Sequence, residues 1–164
     1  HTSVNHNSRW YKDPYMSTAD ERHTGGSPLG YAIKYAQHAL RLRMDAALRP
    51  LGITTPQYSA LTAIAAKPGI SNAQLARQAF VTPQTMQAIL AGLERDGLLI
   101  REPDPDHGRV LRSQISSQGA KVLASAQGVV SHIGQTLVEA VGEEQSAMLV
   151  EALNRAAGAL ARSQ

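Results

Sequence analysis

Apolar residues early in the chain fall at Leu29, Ile33, Ala36, Leu40, Met44 and Leu48, steps of three and four that place them on one face of a helix. Pro50 and Gly52 close that helix. Thr55 followed by Pro56 offers a cap and a first turn to a second helix, whose stripe is Tyr58, Leu61, Ile64 and Ala65 and whose end is marked by Pro68 and Gly69. Ser71 and Gln74 have the spacing of a capping box, opening a third helix over about residues 72–78. The same punctuation returns with Thr82 as cap and Pro83 at the first helical position. Met86, Ile89, Leu90 and Leu93 then share a face, and Gly97 is the stop. Two short runs, Leu98 to Arg101 and Arg109 to Ser116, flank Pro103, Asp104, Pro105, Asp106, His107 and Gly108, the pattern of a hairpin with a long tip. Ser117 is expected to cap a long fifth helix carrying Val122, Leu123, Ala126, Val129, Val130, Ile133, Leu137 and Val141. Gly142 interrupts it. Glu143 and Glu144 suit a new helix N-terminus, and Met148, Leu149, Leu153, Ala156 and Leu160 follow.

The expected fold is therefore mainly α: a winged helix-turn-helix with a small β-hairpin wing and long terminal helices. In the 164 residues, positions 1–27 lack period and read as a flexible arm, whose first fifteen residues before Met16 fit an expression-tag remnant as well as native sequence. Residues 28–164 read as one domain, with the helix-turn-helix at 71–97, the wing at 98–116 and the long helices at 29–49 and 117–161. No run of eighteen apolar residues and no export signal is visible, so a cytoplasmic protein with no membrane partner is the expectation. The absence of cysteine excludes disulfides, thiolate metal sites and a cysteine nucleophile. No glycine-rich phosphate loop or nucleophile elbow is present, and the six histidines do not pair at metal-ligand spacing. Neither enzyme activity, cofactor nor metal is expected. A net charge of +3 is compatible with an anionic partner without requiring one.

The third and fourth helices, joined by a short turn and followed by a hairpin, have the order of a DNA-reading head. A helix entering the major groove needs apolar residues behind it and hydrogen-bonding residues at its N-terminal outer face. Here Thr82, Gln84, Thr85 and Gln87 take the outer positions, and Gln can pair bidentately with adenine while Thr bonds phosphate or touches a thymine methyl. Ser71, Thr82 and Pro83 lie at helix N-termini, where partial positive charge suits phosphate. His107, Gly108 and Arg109 at the wing tip suit a minor groove, and Arg101 and Arg112 on its strands are expected to reach phosphates. Asp104 and Asp106 then serve to brace Arg109. The alternative is a winged-helix domain whose reading head contacts protein and no DNA.

From Tyr31 to Leu160 the chain resembles the MarR-type winged-helix transcriptional regulators. The resemblance rests on Asn72 to Met86 (NAQLARQAFVTPQTM), Leu93 to Leu99 (LERDGLL), Arg101 to Arg109 (REPDPDHGR) and Ile115 to Ala120 (ISSQGA). It implies a homodimer built from the terminal helices, bound to a pseudopalindromic double-stranded operator, most often as a repressor, and released by a small phenolic or carboxylate effector. The exposed stripes available for dimer contacts are Leu29, Ile33 and Leu40 at one end and Leu149, Leu153 and Leu160 at the other. Effector candidates are Tyr35, His38, Arg41 and Tyr58, although their plainer reading is as amphipathic residues at the edge of the core. The chain departs from the family at the wing tip, where His107-Gly108-Arg109 stands in place of an Asp-X-Arg pattern, and in the recognition helix, where Ala88 replaces a basic residue. Residues 71–116 hold five arginines (77, 95, 101, 109, 112) and five carboxylates (94, 96, 102, 104, 106), a net charge of zero. A shallow salt dependence of DNA binding follows.

Overall fold

The computed structural model describes residues 27–103 and 111–162. Its elements are α1 (Pro28–Leu48), α2 (Thr55–Ala66), α3 (Asn72–Gln78), α4 (Pro83–Arg95), β1 (Leu99–Pro103), β2 (Leu111–Ile115), α5 (Ser117–Val141) and α6 (Glu143–Arg162). Two compact units meet between Ala39 and Leu40, within α1. In the first, the described residues form the opening turns of α1, where Tyr31 and Tyr35 stack with ring centroids 6.5 Å apart, a spacing of four that puts them on one helical face.

The second unit is built around an aliphatic core. Leu48 at the end of α1, Leu61 and Ile64 of α2, Leu75 of α3, and Met86 and Leu93 of α4 are fully buried, with Leu98, Leu99, Leu123 and Ala126 closing the cluster. Each such side chain contributes roughly 1.5–3 kcal/mol by leaving water, which is why the short helix α3 persists although seven residues alone would not stay helical. The chain turns out of α1 through a 3-10 turn, Arg49–Leu51, and Gly52 with φ +73, a left-handed conformation that a Cβ would disfavour.

Two helix starts differ from expectation by one residue. The cap of α2 is Thr54, not Thr55: the Thr54 hydroxyl accepts from the Gln57 amide and the Gln57 side chain accepts from the Thr54 amide. The Thr55 hydroxyl instead donates to Asp45 Oδ1 at 2.6 Å, tying α2 to the last turns of α1. Likewise α5 is capped by Ser116, not Ser117. The Ser116 hydroxyl accepts from the Gly119 amide at 2.9 Å and donates to the Gly97 carbonyl at 2.7 Å, while its own amide donates to the Leu98 carbonyl at 3.1 Å. One serine thus joins the end of the hairpin, the start of α5 and the turn after α4. Tertiary bonding thus draws Thr55 away from the α2 cap and holds Ser116 in place as the α5 cap.

Candidate nucleic-acid interface

The N-termini of α3 and α4 are fixed to each other before any partner arrives. Ser71 caps α3 by accepting from the Gln74 amide, and the Gln74 side chain returns the bond to the Ser71 amide. Asn72 Nδ2 then donates to the Pro83 carbonyl at 3.1 Å, crossing from the start of α3 to the start of α4. Thr82 caps α4 by accepting from the Thr85 amide at 3.1 Å, and the two threonine hydroxyls lie 2.9 Å apart. Pro83 occupies the first turn, where its missing N–H is no loss.

Behind this end, Met86, Leu90 and Leu93 are buried and Ile89 is half-buried against the core. In front of it, Thr82, Pro83, Gln84, Thr85, Gln87 and Ala88 are all exposed. Gln84 and Gln87 make no side-chain hydrogen bond among the described residues, so both amides keep donor and acceptor for a partner. Ser71 is exposed as well, with its oxygen engaged as a cap. The face is polar, uncharged and supported by a rigid base.

The hairpin pairs Leu99 with Ile115, Arg101 with Ser113 and Glu102 with Arg112. Strand alternation sends Leu99 and Arg101 to one side and Ile100 and Glu102 to the other. The consequence for Arg101 departs from expectation: its side chain is only 8% exposed, and its Nη1 lies 3.6 Å from Glu94 Oε2 of α4. Its Nε is buried without a hydrogen-bond partner, and the facing Ser113 is buried too. Arg101 therefore braces the hairpin against α4 and is not displayed for a phosphate. Arg112, on the other face, is exposed. His107, Gly108 and Arg109, and the brace expected from Asp104 and Asp106, lie outside the described residues.

Removing Glu94 leaves a buried guanidinium without its counter-charge. We expect Glu94→Ala to lower unfolding free energy by about 2 kcal/mol, less than a fully buried pair because 44% of the Glu94 side chain meets solvent. Adding Arg101→Met should recover most of that loss. Urea unfolding of both variants at one protomer concentration checks this, and equal stability of Glu94→Ala and the parent would show the pair to be inert.

The remaining expected residues are distributed between the two units. Tyr35 and His38 are exposed in the first, Arg41 is exposed in the second with its Nε 3.9 Å from Asp45, and Tyr58 is half-buried against the core of the second. Leu29, Ile33, Leu40, Leu149, Leu153 and Leu160 are all exposed apolar side chains. Reading of the sequence did not single out Asn72, Glu94 or Phe80. Glu94 and Arg101 were within reach, since the alternation that turns Leu99 inward turns Arg101 inward with it. Among the described residues no three histidine or carboxylate side chains cluster as metal ligands, and no helix is long and apolar enough to cross a membrane.

A family model described as MarR family matches residues 51–110. The HTH-type transcriptional repressor Rv2887 of Mycobacterium tuberculosis is 38% identical over 115 residues, covering 70% of this chain and 79% of the relative. The crystal structure of that MarR family protein in complex with salicylic acid matches with TM-score 0.65 and 32% identity over 80% of this chain and 97% of the other. The transcriptional repressor CouR bound to a 23-mer DNA duplex matches with TM-score 0.73 and 28% identity over 79% and 92% of the two chains. On shared sequence along most of both chains and on the helix-turn-helix with its wing, the chain belongs to the MarR family.

Proposed function

We propose that this protein is a sequence-specific DNA-binding transcriptional repressor that acts as a homodimer on a pseudopalindromic operator in the cytoplasm. The observation that carries the reading is the N-terminal face of α4, where exposed Gln84, Thr85 and Gln87 project from a helix whose opposite side is buried. In this reading the two glutamines meet base edges in the major groove, while Ser71, Thr82 and Pro83 set the helix N-termini against the backbone. The wing residues His107, Gly108 and Arg109 follow the adjacent minor groove and Arg112 takes a phosphate. That CouR, of similar fold, is bound to a 23-mer DNA duplex supports double-stranded DNA as the partner. Exposed Leu29, Ile33, Leu40, Leu149, Leu153 and Leu160 supply apolar surface for the second protomer. The salicylic acid complex of Rv2887 supports a small phenolic carboxylate as the class of effector.

The test is base preference. Gln84→Ala and Gln87→Ala should each relax discrimination at one position per half-site by roughly 1–2 kcal/mol, with the other positions unchanged. Competition binding against single-base variants of the preferred duplex measures it. A uniform loss across all variants would make the glutamines positioning contacts and not readers.

A further inference from the structure

One residue in the turn between α3 and α4 is held in a conformation and an environment that both disfavour it. Phe80 has φ +54, and among the described residues it is the one non-glycine in the left-handed region. It is also 96% exposed, more than any other large hydrophobic side chain described. The turn itself explains the backbone. The Val81 amide donates to the Ala76 carbonyl at 3.0 Å and the Phe80 amide to the Arg77 carbonyl at 3.3 Å, the closing pattern that places a left-handed residue just after a helix end. Glycine fits that position without a Cβ clash, and asparagine tolerates it. A bulky aromatic gains nothing there from the fold, since Val81 packs against the core and Phe80 does not.

We propose that Phe80 is a DNA-contacting residue, its ring laid on the apolar surface of the duplex, thymine methyl groups or deoxyribose carbons, at the rim of the groove that α4 enters. The inference rests on the reading of α4 as the recognition helix. Phe80 stands two residues before the cap of α4 and four before Gln84, in the turn that leads into the face assigned to DNA. Charge supplies the second argument. Residues 71–116 carry no net charge, so this reading head gains little from counterion release and needs affinity from contacts that salt does not screen. A desolvated aromatic ring is such a contact.

The experiment uses the full chain, Phe80→Asn and Phe80→Leu, and the duplex that the parent protein selects from a random pool. Phe80→Asn should unfold at the same temperature as the parent or higher, yet bind about five- to tenfold more weakly. The slope of log affinity against log salt should stay as in the parent, because no phosphate contact is lost. Phe80→Leu should retain most of the affinity. Repeating the titrations with deoxyuridine in place of thymidine separates the two surfaces: a loss seen with the parent and absent in Phe80→Asn assigns the ring to a methyl, and none in either assigns it to the sugars. Parent-like binding by Phe80→Asn overturns the proposal, as does a lower unfolding temperature, which would make the ring structural. A changed sedimentation coefficient for Phe80→Asn without DNA would assign it to a protein contact and overturn it as well. A parent protein that selects no duplex defeats the recognition-helix reading itself, an outcome distinct from these.

Discussion

Gly119→Ala should destabilise the protein by about 3 kcal/mol, although alanine is the better helix former by nearly 1 kcal/mol. The sign is inverted by contact. A methyl at Gly119 would fall deep inside the van der Waals surface of the Leu98 carbonyl oxygen, 2.9 Å from the Leu98 carbonyl carbon and 3.0 Å from Ile115 Cγ1. The first two are backbone atoms and cannot swing away as a side-chain end would. That carbonyl already accepts from the Ser116 amide, and the Gly119 amide donates to the Ser116 hydroxyl, so displacement would open the junction of hairpin and α5. Gly128 and Gly134 in the same helix have nothing within 4 Å of a new Cβ, and Gly128→Ala serves as the control that should hold or raise stability. Denaturant unfolding of both variants at one protomer concentration decides the matter. A Gly119→Ala variant as stable as Gly128→Ala would show that α5 does not pack on the hairpin as described.

Met86→Ala is expected to cost about 3 kcal/mol, and Met86→Leu under about 1.5 kcal/mol. Met86 is fully buried and sits between exposed Thr85 and Gln87, so its side chain anchors the end of α4 proposed to meet DNA. Truncation leaves a cavity among the core residues of α2, α3 and α4, whereas leucine refills most of the volume. The pair separates packing from chemistry. Thermal or urea unfolding reads the first effect, and DNA binding measured well below the transition reads the second. Equal stabilities for the alanine and leucine variants would mean that the inner face of α4 is not packed.

Much of this architecture could be read from punctuation alone. Capping residues and proline marked the starts of α3 and α4 to the residue, because Ser71, Gln74 and Thr82 make local bonds that depend on little beyond their own turn and Pro83 gives up no bond at the first helical position. Where a hydroxyl had a distant competitor the local rule slipped, as with Thr55, drawn to Asp45, and Ser116, engaged by the turn after α4. The outward placement of Gln84, Thr85 and Gln87 followed from the helical period. The fate of Arg101 did not follow from its charge. An arginine on a wing strand suggests phosphate, and only the inward register with Glu94 beneath it turns the residue into a brace. Phe80 was hidden for a different reason, since one aromatic in a turn looks like core until its exposure and backbone angle are known.

Whether the face of α4 reads DNA is decided by selection from a random duplex pool, followed by fluorescence anisotropy titration of the enriched sequence at two salt concentrations. The expected result is a palindromic motif with half-sites about one helical turn apart and a shallow salt slope, in keeping with zero net charge over residues 71–116. No enrichment, or binding that is weak, steeply salt-dependent and indifferent to sequence, would contradict it and favour a winged helix that contacts protein.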